Sequence, residues 1–258
     1  MNEQLAEILA MGQSSLALGF IVFLRVGGAM ALFPAFGERS IPERIRVILA
    51  IAFTAIVSPA VAPTVHPFLP QAGRFGILIV TEPIVGLSIG AVIRLFVFAL
   101  QMAGSIAAQS TSLAQIFGGA TIDPQPAIGH ILLVAGLALA VMTGLHVRLV
   151  EVLILSYEIF PPGQLPGADL LTQWGVVRIS RAFGLAFTLA VPFVIASLIY
   201  NVALGVINRA MPQLMVAFVG APAITAGGLI LLLLTSPILL SVWVQALNLF
   251  LGQPFGGP

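Results

Sequence analysis

The chain has 258 residues, 59% of them hydrophobic and only 7% charged, and its mean hydropathy is +1.13. Ordinary globular domains carry about 25% charged residues, so these side chains cannot coat a water-facing surface, and lipid or other hydrophobic subunits must cover it. Ten Arg against nine acids leave a formal charge of +1 and no basic stripe for nucleic acid, while the lack of Cys excludes a disulfide framework, a thiol nucleophile and a Cys metal site.

In chain order, Met1 to Ser15 carries Glu3 and Glu7 and no positive residue before the first apolar run. That is unlike a cleaved signal peptide, so the first helix is expected to remain in the mature protein. Apolar runs follow at 16–36, 45–62, 75–109, 127–158, 182–207 and 214–251, each near or above the roughly 18 to 20 residues that span hydrocarbon. They predict an all-α membrane protein of six long hydrophobic helices, in a single domain over residues 1–258. The breaks between them are short and rich in Pro, Gly and polar residues, with no room for a soluble domain.

At about 1.5 Å per residue, a run such as Phe75 to Gln109 exceeds a hydrocarbon core of about 30 Å. Pro83, Pro192, Pro222 and Pro237, with the Gly227-Gly228 pair, predict breaks inside these runs, because each proline removes a backbone donor. Arg39, Arg44 and Arg46 make the first loop the cytoplasmic candidate, although Arg74, Arg178 and Arg181 fall on the other side in a six-span alternation.

Ionisable residues at membrane depth cost about 2.5 to 3.5 kcal/mol on insertion scales and count as functional candidates. Here they are Arg25, Glu82, Arg94, Arg148, Glu151 and Glu158. Arg148 and Glu151 are at pairing distance on one helix. Arg25 and Arg94 have no acid near them in sequence and need a partner from elsewhere, which for Arg25 includes Glu82. Gly86 and Gly90 form a G-x-x-x-G pattern that licenses close helix packing. No nucleophile elbow, zinc motif or phosphate loop is present, and His66, His130 and His146 are scattered. The reading is therefore of a protein that is not an enzyme and has no cofactor and no metal.

The segment Gln109 to Pro126 is polar and flexible, free of Lys and Arg, and has Ile116 and Phe117 as a small apolar tip. It is longer than the usual 2 to 8 residues between packed helices. By composition alone it is an interhelical turn.

Two stretches carry a resemblance. Glu38 to Arg46, ERSIPERIR, looks like the charged loop that opens the second helix in the FliR and SctT family of type III secretion export gate proteins. Asn201 to Ala223, NVALGVINRAMPQLMVAFVGAPA, is similar to that family's N-x-A-L-G-x-x-N-R-x-x-P-Q-L core, matched here at Asn201, Leu204, Gly205, Asn208, Arg209, Pro212 and Gln213. Ile122 to Pro124 and Gly144 to His146 align in order, so the resemblance covers the chain. Glu43, where a basic residue is common, and Ala221-Pro222-Ala223, where Phe-Pro-Leu is usual, depart from the pattern. On its own terms the core motif reads as a tight hairpin: Gly205 permits close helix approach, Asn208 and Arg209 cap the ending helix, and Pro212 restarts the chain.

The resemblance implies helical hairpins in an export gate of the bacterial inner membrane, at the flagellar basal body. FliP-like and FliQ-like subunits would be its partners, with FlhB-like and FlhA-like components nearby and unfolded export substrates in transit. It also implies that the loop at Ser110, Ser112, Gln115, Ile116, Phe117, Gly118 and Gly119 plugs the pore, and that much of the apolar surface meets other subunits as well as membrane lipid. The alternative is a secondary transporter or channel acting alone, motivated by broken helices and intramembrane charges.

Overall fold

A chain this apolar can satisfy its backbone polar groups in lipid only within its own helices, and the described residues contain helix and no strand. The computed structural model describes residues 2–69, 72–111, 127–211 and 216–256. Seven helices appear among them: α1 (Asn2–Met30), α2 (Glu43–Val65), α3 (Ala72–Thr111), α4 (Ala127–Met142), α5 (Leu145–Ile159), α6 (Ala168–Ala210) and α7 (Val216–Gly252). A single 3₁₀ turn, His66–Phe68, follows α2.

Five of the helices are long and apolar enough to cross a membrane, six if α4 and α5 count as one bent span. The expected fourth run is thus two helices, meeting at 73°. Gly144 makes the corner: its φ of +90° lies in the left-handed region that a side chain disfavours, and its carbonyl accepts from Val147 N at 3.0 Å to start α5. The prolines do not end helices. Pro83 and Pro192 lie inside continuous α3 and α6, and α7 runs through Pro222 and Pro237. At about 1.5 Å per residue, the 40 residues of α3, 43 of α6 and 37 of α7 all outreach a hydrocarbon core. The first helix stops at Met30, earlier than its apolar run, because the chain turns through Pro34 and Ala35 (φ +65°) and closes with Gly37 N donating to Phe33 O at 2.7 Å.

Two compact units divide the chain. The first takes Met1–Leu95, Val141–Arg178 and Leu249–Pro258, and the second Phe96–Ala140 and Ile179–Asn248.

In the first unit α2 packs against α1 and α5, burying Ala50, Thr54, Val57 and Val61, which recur every three or four residues along one face. Small residues bring α1 and α3 together. A Cβ on Gly28 would stand 2.7 Å from the Pro83 carbonyl, one on Gly90 would stand 2.7 Å from the Ala29 carbonyl, and one on Gly86 would collide with the Arg25 carbonyl. The sequence pattern at Gly86 and Gly90 is therefore a true crossing point, where backbone meets backbone.

In the second unit α3 and α4 cross on glycines as well, Gly104 against Gly129. Trp243 of α7 is fully buried and its Nε1 donates to Phe96 O at 2.8 Å, which satisfies the indole inside an apolar setting. Outside this core, Leu198, Ile199, Val202 and Val206 of α6 and Leu229, Ile230, Leu233 and Leu234 of α7 are each more than half exposed. Only 22% of the most apolar stretch of α7 is buried, against 50% for α3.

Gly86→Ala should lower thermal stability in detergent by about 1 to 3 kcal/mol, because the crossing backbone must move. Gly12→Ala, on an exposed helical site with nothing within 4 Å, should be neutral or stabilising through helix propensity. Equal unfolding temperatures for the wild type and Gly86→Ala would show that the crossing is not tight.

Candidate functional site

The charges flagged at membrane depth converge in part. Arg25 of α1 and Glu82 of α3 are both 0% exposed, and Arg25 Nε donates to Glu82 Oε2 at 2.7 Å. The other guanidinium nitrogens are used too: Nη1 donates to Ser156 Oγ at 3.2 Å and Nη2 to Phe160 O at 2.9 Å. Ser156 Oγ in turn donates to Leu153 O at 2.6 Å, and the second carboxylate oxygen, Glu82 Oε1, accepts from Gly163 N at 3.1 Å. The guanidinium lies 3.7 Å from the centre of the Tyr157 ring, a cation–π contact at full burial.

This arrangement follows from position. Glu82 precedes Pro83 and sits one turn before Gly86, on the stretch of α3 that small residues allow closest to α1. Ser156 and Tyr157 close α5, and Phe160 and Gly163 form the turn after it, where Gly163 takes φ +77°. The cluster therefore ties α1, α3, α5 and that turn into one body. Chemically it is closed, since both carboxylate oxygens and all three guanidinium nitrogens are engaged. The Tyr157 hydroxyl is buried and makes no hydrogen bond among the described residues.

The remaining charges are placed differently. Arg94 forms a two-pronged pair with Glu38 of the loop before α2, Nη1 to Oε1 at 2.7 Å and Nη2 to Oε2 at 3.1 Å, largely shielded. Arg148 and Glu151 pair with each other at 3.0 Å, as their spacing predicts, but on an exposed face, where such a pair contributes about 0.2 to 1 kcal/mol. Among the described residues no group of three His or acidic side chains gathers as a metal site.

Of the expected pore plug, only Ser110 lies within the described residues. It ends α3, and its hydroxyl donates to Ile106 O at 2.7 Å. Ser112, Gln115, Ile116, Phe117, Gly118 and Gly119 lie outside them. Of the hairpin motif, Asn201, Leu204, Gly205, Asn208 and Arg209 occupy the end of α6, and Pro212 and Gln213 lie outside the described residues. Asn201 Nδ2 bonds back to Ser197, at 2.8 Å to its carbonyl and 3.2 Å to its hydroxyl. No atom of the described residues comes within 4 Å of a Cβ built on Gly205. Asn208 and Arg209 are exposed and make no capping hydrogen bond among the described residues, where Met211 N donates to Ile207 O at 2.8 Å. Beside this stretch, an apolar cleft of about 250 Å³ opens between α6 and α7, lined by Phe193, Ser197, Tyr200, Ile224, Gly227 and Leu231.

Sequence reasoning missed Ser156, Tyr157 and Gly163 as companions of the ion pair, and Glu38 as the partner of Arg94. It also missed a clasp near the C-terminus, where Arg178 Nη2 donates to the carbonyls of Pro254 and Gly256 at 3.4 and 3.1 Å, and Phe255 stacks on Trp174 and meets Phe160 edge-on. Gly205, Asn208 and Arg209 of the hairpin motif are exposed, and the Arg25–Glu82 pair is sealed within the first unit. A family model described as bacterial export proteins, family 1, matches residues 16–250. The chain belongs to this family of bacterial export proteins.

Similarity to individual members of the family runs the length of the chain. The flagellar biosynthetic protein FliR of Caulobacter vibrioides is 33% identical over 227 residues, 87% of this chain and 90% of its own length. The proteins of the same name from Escherichia coli and Bacillus subtilis are 26% and 25% identical, covering 88% and 89% of this chain and 87% and 89% of their own lengths.

Glu82→Gln should destabilise this export-family chain by about 3 to 5 kcal/mol, since it leaves Arg25 charged and buried without its counter-ion. Replacing both with apolar residues of similar volume should recover much of the loss. Tyr157→Phe, which keeps the ring and removes an unpaired hydroxyl, should be neutral or stabilising. Thermal unfolding in detergent measures all of these, and a destabilised Tyr157→Phe would show that the hydroxyl has a partner.

Proposed function

We propose that the chain is a subunit of the flagellar type III export gate in the bacterial inner membrane, where it helps to form the pore through which unfolded flagellar components pass. Its relatives are named flagellar biosynthetic proteins and its family is one of bacterial export proteins. The observation that carries the reading is the exposed motif face: Val202, Val206 and Ile207 stand in the open beside Gly205, Asn208 and Arg209, with no neighbour in the described chain for the Gly205 notch. A side-chain-free notch between large apolar side chains suits another helix better than lipid. FliP-like and FliQ-like subunits are the proposed occupants, with FlhB-like and FlhA-like components alongside the assembled gate. A transporter working alone was motivated by charges at membrane depth, but both oxygens of the Glu82 carboxylate are engaged, by Arg25 and by Gly163 N, so this acid is not free for a proton relay.

Gly205→Leu should leave the stability of the purified chain within about 0.5 kcal/mol, as expected for a surface site, yet sharply reduce the yield of complex with FliP-like and FliQ-like subunits. Co-purification reads the second effect, and normal complex yield would remove Gly205 from the interface.

Ser110 belongs to the last turn of α3, and in the same proposal residues 112–120 beyond that helix narrow the lumen, with Ile116 and Phe117 as a small hydrophobic constriction that favours dewetting. Deleting Ser112 to Gly119 should leave the complex assembled and raise its ion conductance. An intact complex with unchanged leak would take the loop out of the gate.

A further inference from the structure

The loop between α1 and α2 concentrates charge at one end of an apolar helix. Between Glu38 and Arg46 stand Arg39, Arg44 and Arg46. Glu38 is taken by Arg94, and Arg46 Nε donates to Ile41 O at 3.2 Å, holding the turn. Arg39 and Arg44 are exposed and make neither an ion pair nor a hydrogen bond among the described residues. Glu43, also exposed, stands in the first turn of α2, where a carboxylate suits the positive end of the helix dipole. The loop therefore presents more cationic than anionic charge.

Helical register ties this charge to an apolar face. Buried residues of α2 recur at 50, 54, 57 and 61, and Arg44 falls on the opposite side, in line with Ile48, Ile51 and Ala55. That outer side is exposed: Ile48 is 64% and Ile51 56% exposed, and Ala55 is exposed as well. A stripe of branched aliphatic side chains ending in free arginines has the profile of the boundary between hydrocarbon and head groups, where an Arg stem lies along the apolar surface and its guanidinium reaches out to phosphate.

We propose that Arg39 and Arg44 form a docking site for an anionic phospholipid, the acyl chains lying along Ile48, Ile51 and Ala55 of α2 and the head group bound by the two guanidinium groups. Arginine suits the task because its planar fork pairs with phosphate oxygens two at a time. The site depends only on the chain lying in a membrane, and not on its place in an export gate. It also sets α2 with its N-terminal end toward the leaflet richer in anionic lipid, which is the cytoplasmic one under the positive-inside rule.

The test uses the full chain in detergent and in vesicles of phosphatidylcholine with or without phosphatidylglycerol. Native mass spectrometry should show phosphatidylglycerol retained over phosphatidylcholine. At about fivefold per arginine, the Arg39→Gln/Arg44→Gln variant should lose roughly thirtyfold of that preference. Arg39→Lys/Arg44→Lys keeps the charge and should retain most of it, and Arg148→Gln, a single charge loss on α5 to set beside Arg44→Gln, should not change it. If the glutamine pair proves unstable, Arg44→Gln compared with Arg44→Lys in the vesicles gives the same reading. Unchanged lipid preference in the glutamine variants, or an equal loss in Arg148→Gln, overturns the site. So does a glutamine pair that keeps its lipid but loses a protein partner on co-purification, which would assign the arginines to an acidic subunit.

Discussion

A full positive charge and a full negative charge lie out of water together in this protein, and the arrangement of the first unit follows from keeping them there. Removing two ions from water costs several kcal/mol each, and close pairing repays that only when the remaining donors and acceptors also find partners. Arg25 and Glu82 meet this condition through a side chain of α5, two backbone groups of the turn behind it and the face of Tyr157. None of these partners can move far without exposing a bare charge. The glycines at the crossing of α1 and α3 serve the same end, since any Cβ at Gly86 would push the Arg25 backbone away from the helix that carries Glu82.

The ion pair and the exposed faces divide the chemistry of the chain. One ion pair is sealed in the interior of the first unit and a second, Arg94–Glu38, is shielded, while α6 and α7 of the second unit turn bare aliphatic side chains outward. Such faces are stable only in hydrocarbon or against other apolar helices. The proposed place in an export gate would use both: a self-contained body, and apolar sides left to be covered.

The sequence made the helices legible because each apolar run is long and bounded by Pro, Gly and polar residues, and five of the six runs became single helices. It misled at the prolines. A proline within a helix costs one hydrogen bond and some crowding, which the packing of α3, α6 and α7 absorbs without ending the helix. A glycine in the left-handed region redirects the chain outright, so the corner fell at Gly144. The Arg148–Glu151 pair was readable because helical spacing alone joins it. Arg25 and Glu82 are 57 residues apart, and Arg94 and Glu38 are 56, so no local rule selects either pairing over other combinations. For the hairpin motif, composition gave the right helix, while the surroundings of Gly205 are not supplied by the described part of this chain.

The clasp of Arg178 on the carbonyls of Pro254 and Gly256 bears on how the protein is made. The first unit draws on Met1–Leu95, Val141–Arg178 and Leu249–Pro258, so helices made early are completed by residues made more than a hundred positions later. Synthesis at about 5 to 20 residues per second leaves α1 to α3 waiting many seconds for the segment that closes over Trp174. During that interval the Arg25–Glu82 pair can form once Gly163 has emerged, but the aromatic cover of Phe255 cannot. Contacts this distant in sequence make assembly of the unit slow, so a half-made chain would depend on other factors to shield it until that segment has been made.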